Sequence, residues 1–397
     1  MKYVTVILDG AADWPIESLG RRSALQAART PHLDALARAG LVGCAQTVPV
    51  GSEPSSSAAC MSILGYDPVA DYVGRGAIEA ASMGIALRPD QIALRMNLVS
   101  IYDGVMSSYS AGNITSLDSH AIVAELVSHL SGRGLDLHPG VAYRHILVVS
   151  GHPELLETSF TPPHDISDRN VAPYLPKGPG SDLVLQFMED ARPILAQSAV
   201  NARRVASGQL AATDVWLFWP GVAPAGLVPF AERRGVRAAM TSGVDLLNGL
   251  AALTGIARLD IDGVTGDASN DYAAQAEGAL AALDEYDLVV VHVESPDEEG
   301  HAGDALAKVS AIEAIDREIV ARLRAYAASH ELRVLAMPDH PTPIEIKTHV
   351  GEAVPFVIAG PGVSANGAGA FDEFIAEGTG VRVDPGRGVM DLLLGWE

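Results

Sequence analysis

Six ionisable side chains, Asp9, Asp297, His301, Asp339, His340 and His349, stand where apolar runs of the chain end or shortly after them. Three carboxylates and three imidazoles offer the oxygen and nitrogen donors that hold borderline-hard divalent cations such as Mn²⁺ or Zn²⁺. Asp297 and His301 are four residues apart, which places both side chains on one face of a helical turn. Asp339 and His340 are adjacent at a strand-to-loop junction, where neighbouring side chains can splay toward one ion. Each of these residues alone also fits a helix cap or a satisfied histidine. Their joint placement after apolar strands is the stronger signal.

A second chemical feature is the run VPVGSEPSSSAACMSILGYDP, residues 48–68. A Gly/Pro/Ser loop leads into AACMSIL, a helix start, so hydroxyls and backbone N–H groups converge on a positive helix end. A serine there suits a phosphoryl group. N-capping alone explains one hydroxyl of the triplet, and the spacing does not choose among Ser55, Ser56 and Ser57.

The elements that must position these groups read as alternating strands and helices. Residues 2–8, KYVTVIL, form a buried strand closed by Asp9-Gly10. DLVVVHVESPD is apolar from Leu288 to Val293 and ends in acids, RVLAMPDH runs from Val334 to Asp339-His340, and VPFVIAGPG ends in glycines. Ala305, Leu306, Val309, Ile312, Ile315, Ile319 and Leu323 recur at spacings of three and four, an amphipathic helix. Such alternation predicts an α/β fold, a mostly parallel sheet with helices on both faces. Ligands of such sheets bind beyond the carboxyl ends of the strands, where Asp9, Asp297 and Asp339 fall. Between residues 71 and 214 the texture changes to short alternating runs (QIALRMNLVSI, YRHILVVSG) and a Pro/Gly-rich stretch, TPPHDISDRNVAPYLPKGPGS. This predicts an inserted smaller α+β domain at 71–214 and a discontinuous core of 1–70 and 215–397, with VWLFWPG opening the return.

Composition sets outer limits. At 397 residues the chain exceeds one ordinary core, and 48% hydrophobic with 19% charged residues is a globular balance. A net charge of −22 argues against a nucleic-acid partner, so an anionic substrate must be captured by local cations. Two cysteines, Cys44 and Cys60, are too few for a disulfide framework. No signal-peptide h-region follows the N-terminus and no apolar run spans a bilayer, which predicts a cytoplasmic protein without a membrane partner. Nothing in the sequence sets an oligomeric state.

The segments VILDGAADWP, GSEPSSSAACMSILGYDP, YVGRGAIEAASMGI, DLVVVHVESPDEEGHAGD, PDHPTP and KTHVGEAVPFVI, in this order across almost the whole chain, resemble the archaeal-type cofactor-independent phosphoglycerate mutases. The resemblance implies an alkaline-phosphatase-like core that interconverts 3-phosphoglycerate and 2-phosphoglycerate in glycolysis and gluconeogenesis, through a phosphoserine and two divalent metal ions, with no bisphosphoglycerate. It implies Mn²⁺ first, with Zn²⁺, Mg²⁺ and Co²⁺ as alternatives. By the family pattern one ion takes Asp9, Ser56, Asp339 and His340, and the other Asp297, His301 and His349. The family spacing back from Gly65-Tyr66-Asp67-Pro68 selects Ser56 as nucleophile. Where relatives have Asp after that serine this chain has Ser57, Cys60 stands where relatives often have His or Asn, and Arg237 where they often have Lys. Capture of the substrate's carboxylate and phosphate calls for arginines, and the candidates are Arg75, Arg144, Arg204 and Arg237, with His164 and Asp165 as hydroxyl contacts or proton shuttles. The reaction also calls for water to be excluded, for which closure of the inserted domain is the natural device. Two rivals share the fold: a homoserine kinase-like phosphotransferase or phosphatase, suggested by HVESPDE and WLFWPG, and a non-catalytic binding protein, suggested by Ser57 and Cys60.

Overall fold

The computed structural model describes residues 1–132 and 134–395; Arg133 and the last two residues of the expected core range lie outside the described residues. The chain divides into two compact units, residues 1–72 with 227–397, and residues 73–226.

The first unit is built on an eight-stranded sheet in the order Arg382–Val383, Leu41–Ala45, Val354–Ala359, Leu332–Met337, Lys2–Leu8, Leu288–Val293, Ala238–Thr241, Ala257–Arg258. Lys2–Leu8 lies between two parallel neighbours, with Ile7 opposite both His292 and Met337. These central strands are β-branched and aliphatic on both faces because helices cover both; Val4, Val6, Val289 and Val291 are fully buried. Val354–Ala359 runs antiparallel to both neighbours, in register Ala336↔Val357 and Val354↔Ala45. The glycines after it therefore leave at the sheet edge opposite the carboxyl ends of the other strands, and its beginning lies at that carboxyl edge.

The amphipathic pattern from Ala305 forms as an α-helix, Ala305–Ala314, a π-helical turn, Ile315–Val320, and a second α-helical stretch, Ala321–Ala327. Ile312, Ile315, Ile319 and Leu323 are fully buried as the spacing requires, whereas Leu306 is 70% exposed and does not belong to the stripe. The π turn presents Asp316 to the amides of His32 and Leu33, which opens the helix Pro31–Ala39.

In the second unit Gln91–Tyr102 pairs antiparallel with Val105–Ser108, Arg144–Ser150 and Asp214–Val222, and Leu135–Pro139 adds to Arg144–Ser150. The expected return to the core lies at residue 215. Asp214–Val222 instead takes its ladder hydrogen bonds from Gln91–Tyr102, in register Met96↔Leu217, so the boundary falls after Gly226. Residues of Ser181–Gln197 and Ser116–Leu130 cluster with Leu94, Met96 and Leu98 in one buried core, while Ala80 of the helix Arg75–Ser82 packs with Ala93, Ile146 and Val148 in another.

Candidate active site

Three adjacent parallel strands of the first unit deliver the carboxylates. Asp9 follows Lys2–Leu8, Asp339 and His340 follow Leu332–Met337, and Asp297 lies in the helix Ser295–Ala302 just after Leu288–Val293. Asp9, Asp339 and His340 are all completely buried and Asp297 is 4% exposed. Nε2 of His340 is 3.6 Å from Asp9 Oδ1 and 3.4 Å from Asp339 Oδ2. The four-residue spacing brings His301 Nε2 to 3.1 Å from Asp297 Oδ2. His349 precedes the antiparallel strand, so it enters from the same edge, with Nε2 3.5 Å from Asp297 Oδ1 and 2.9 Å from His301 Nε2.

The helix Ser56–Ile63 begins at the serine triplet, and each serine has a different task. Ser55 is the N-cap, its Oγ accepting from the amide of Ala58 at 3.4 Å. Ser57 is buried, with its Oγ 3.1 Å from that of Ser55. Ser56 turns to the carboxylate cluster, its Oγ 3.1 Å from His340 Nε2. The Cys60 thiol, one turn on, donates to Asp339 Oδ2 at 3.7 Å.

Among the described residues the potential metal donors fall into three overlapping groups: Asp9, Asp339 and His340; Asp297, His340 and His349; and Asp9, His292 and Glu294, each with ligand atoms within 4.8 Å of one another. Asp9 Oδ1 and Glu294 Oε2 are buried without a hydrogen-bond partner among the described residues. Unpaired buried carboxylate oxygens are costly, and the donor set of carboxylate and imidazole is what divalent cations take, so the residues fit such ions. Burial, then the charges of Asp339 and Asp297, push the Asp9 carboxyl well above the usual carboxylate range. Burial also acts to raise Asp297, but hydrogen bonds from His301 and His349 outweigh it and hold that carboxyl well below the usual range. His301, hydrogen-bonded to Asp297, is pushed up to about 9, while burial lowers His340 and His292 and keeps both rings neutral.

Residues beyond the expected set complete the cluster. His292 Nε2 donates to Asp9 Oδ2 at 2.7 Å and its Nδ1 is 3.0 Å from Ser242 Oγ, which leaves Asp9 Oδ1 free to face the site. Thr342 Oγ1 donates to Asp297 Oδ1 and is 3.3 Å from His340 Nδ1. The sequence signal available for His292 and Glu294 is the alternation HVE at a strand end, and for Thr342 its place in PDHPTP.

The second unit gathers part of the expected substrate set. Arg75, the first residue of its helix, stacks on Trp219 at 3.8 Å and binds Glu79 Oε1 at 3.1 Å. Glu79 is shared with the buried Arg95, and these two cations hold its carboxyl below the usual range against the effect of burial. His164 lies 5.6 Å from the Trp219 ring and 3.6 Å from Asp165 Oδ1, and burial lowers its pKa. Arg144 pairs across strands with Asn97, which accepts from Arg95 at 3.0 Å, and its Nε is buried without a partner among the described residues. Trp219 has φ +49° at a register shift between Leu94 and Arg95, a bulge that puts it next to Phe218 at 4.5 Å. Arg204 is elsewhere: 2% exposed, it donates to Asp118, Ala111 O and Leu210 O. Arg237, in the first unit, precedes the strand Ala238–Thr241 and pairs with Asp287 at 3.7 Å, at the edge away from the carboxylates.

Among the described residues no helix is long and apolar enough to cross a membrane. A family model described as 2,3-bisphosphoglycerate-independent phosphoglycerate mutase matches residues 37–201. The chain is 43% identical to the mutase of that name from Methanothrix thermoacetophila, over 99% of this chain and 100% of the relative. It is 38% identical to a probable mutase of that name from Geobacter sulfurreducens, with the same coverage. Among solved structures, a Pyrococcus horikoshii protein superposes with a TM-score of 0.82 at 27% identity, covering 99% of this chain and 97% of that one. The cofactor-independent phosphoglycerate mutase of Thermoplasma acidophilum gives 0.69 at 27% identity, covering 100% and 99%. Near-complete coverage at such identity means that the whole chain, both units included, belongs to the 2,3-bisphosphoglycerate-independent phosphoglycerate mutase family.

Proposed function

We propose that the protein interconverts 3-phosphoglycerate and 2-phosphoglycerate without bisphosphoglycerate, Ser56 accepting and returning the phosphoryl group, with two divalent cations, Mn²⁺ first. The observation that supports this most is the Ser56 hydroxyl, 3.1 Å from His340 Nε2 at the N-terminus of its helix and directed into the carboxylate cluster. Bound divalent cations supply positive charge to a phosphoryl group and lower the pKa of a neighbouring hydroxyl. Asp9, Asp339 and His340 would hold one ion beside Ser56, and Asp297 with His301 and His349, whose ring nitrogens lie 3.1 and 3.5 Å from its carboxylate, the other.

Ser56 Oγ attacks phosphorus and the bond from phosphorus to the glycerate oxygen breaks, leaving phosphoserine and glycerate. The second hydroxyl of the same glycerate then attacks, and the bond to Ser56 Oγ breaks. The helix N-terminus contributes backbone N–H groups and a favourable dipole toward the anion. His292, neutral and hydrogen-bonded at both nitrogens, fixes the orientation of Asp9. In the second unit Arg75 and Arg144 suit a carboxylate or phosphate, and His164, beside the tryptophan on which Arg75 stacks and 3.6 Å from Asp165 Oδ1, suits a hydroxyl. Ser57 leaves the nucleophile without the adjacent carboxylate of its relatives, yet carboxylates and imidazoles able to hold cations gather beside Ser56, which supports catalysis over a binding role. Phosphorylation of homoserine and simple phosphatase action are not favoured.

Purified, Mn²⁺-loaded protein should convert 3-phosphoglycerate to 2-phosphoglycerate in a coupled assay without added bisphosphoglycerate. A metal-replete protein that produces only free phosphate, or nothing, overturns the reading.

A further inference from the structure

Lys308, on the helix Ala305–Ala314, is a fully buried ammonium that no step above uses. Its three N–H donors have three acceptors: Asp13 Oδ2 at 2.7 Å, the carbonyl of Thr342 at 2.8 Å and the carbonyl of Ala12 at 3.3 Å. Two of these belong to the loop that starts with Asp9 and one to the loop that starts with Asp339 and His340. The loops also meet around it through Thr342 N to Ala12 O at 3.2 Å, Gly10 N to Asp339 Oδ1 at 3.1 Å and Ile344 N to Asp13 Oδ2 at 3.3 Å, with β-bridges from Pro341 to Ala11 and Ala12. Thr342 continues the connection, because its hydroxyl donates to Asp297 and lies 3.3 Å from His340 Nδ1. Asp13 is anchored in turn by its amide, which donates to Glu373 Oε1 at 3.0 Å, while Glu373 Oε2 accepts from Ser23.

An ammonium can send three donors in diverging directions from one point, which is what two loops and a carboxylate meeting at one buried spot require. We propose that Lys308 is a positioning residue: it locks the loop carrying Asp9 to the loop carrying Asp339, His340 and Thr342, and so preforms both cation-binding groups before any ion arrives. The inference rests on the metal reading given above. It does not depend on which sugar acid is the substrate.

Lys308→Met by itself leaves Asp13 as an uncompensated buried carboxylate and can unfold the protein for that reason alone. The test therefore uses the double variant Lys308→Met/Asp13→Asn, and beside it Thr342→Val, which keeps the carbonyl contact and deletes only the hydroxyl. Metal-free wild type and variants are titrated with Mn²⁺ by calorimetry, and the visible absorption of each Co²⁺ complex is recorded. Loosened ligand loops should weaken Mn²⁺ binding about ten-fold or more and alter the Co²⁺ bands in either folded variant, the scale at which residues supporting metal ligands act. A folded double variant with wild-type Mn²⁺ affinity and wild-type Co²⁺ bands overturns the proposal, whatever happens to thermal stability. Wild type that binds no Mn²⁺ in the same titration overturns the metal reading instead, so the two failures are separable.

Discussion

The hydroxyl of Ser56 sits 3.1 Å from Nε2 of His340, across 284 residues of sequence, because its neighbour Ser55 takes the helix-capping task. This division of labour separates the two serines experimentally. Ser56→Ala should reduce mutase turnover by at least about 10³-fold with little loss of stability, since it deletes the group that accepts the phosphoryl. Ser55→Ala should instead cost about 1 kcal/mol of stability through the lost cap, with residual turnover well above that of Ser56→Ala. Steady-state assays and denaturant titrations on both variants check this, and equal turnover in the two would contradict it.

Metal loading should be pH-dependent in a defined direction. His301 is held protonated up to about 9 by Asp297, and burial among other carboxylates keeps Asp9 protonated well above its usual range. An incoming cation must displace these protons, so affinity should rise with pH through the neutral range and level off above about 9. Calorimetric Mn²⁺ titrations at neutral pH in buffers of different ionisation enthalpy should report proton release; none would refute the assignment of His301 as a ligand. Chelation should abolish turnover and lower the thermal midpoint, and Mn²⁺ should restore both.

Glu373 gives a stability signal away from the cations. Burial raises its carboxyl to about 7 although it accepts from Ser23 and from the Asp13 amide. A carboxyl with a raised folded-state pKa favours the native state when protonated, so its contribution is complete below its unfolded value and is lost as pH rises through about 7. Denaturant unfolding of the metal-free protein should show Glu373→Gln flattening the decline of stability between about pH 5 and about pH 8, by about 2 kcal/mol. An unchanged slope would mean that Glu373 ionises normally.

Arg75 and Arg204, both candidates for the substrate's anionic groups, should behave as opposites. Arg75 stacks on Trp219 with its side chain 37% exposed, so Arg75→Ala should raise KM for phosphoglycerate about ten-fold or more, as loss of a charged hydrogen bond does, with little change in the thermal midpoint. Arg204 spends its donors inside the second unit, so Arg204→Ala should cost about 3 kcal/mol of stability and leave KM unchanged. A KM effect from Arg204 with normal stability would reverse the distinction.

The sequence by itself determined the parts whose signal is local. Apolar runs closed by Asp9, by Asp297 and by Asp339-His340 define strands and their functional ends, because a buried parallel strand must be apolar throughout and its ligand-bearing acid must follow it. The Asp297/His301 pair was legible for the same reason, since helical spacing alone brings the two together. Partners distant in sequence were decided only by the tertiary structure. Periodicity does not encode strand direction, so only the ladder shows that Val354–Ala359 runs antiparallel and delivers His349 from its start. Asp214–Val222 reads like a core strand, and its pairing with Gln91–Tyr102 is a matter of which edge offers free backbone groups. Which serine caps and which faces His340, and why Lys308 and Arg204 are buried, likewise depend on acceptors contributed by remote loops. A buried charge or hydroxyl is placed by the groups that satisfy it, and in this protein those groups meet only once the chain is folded.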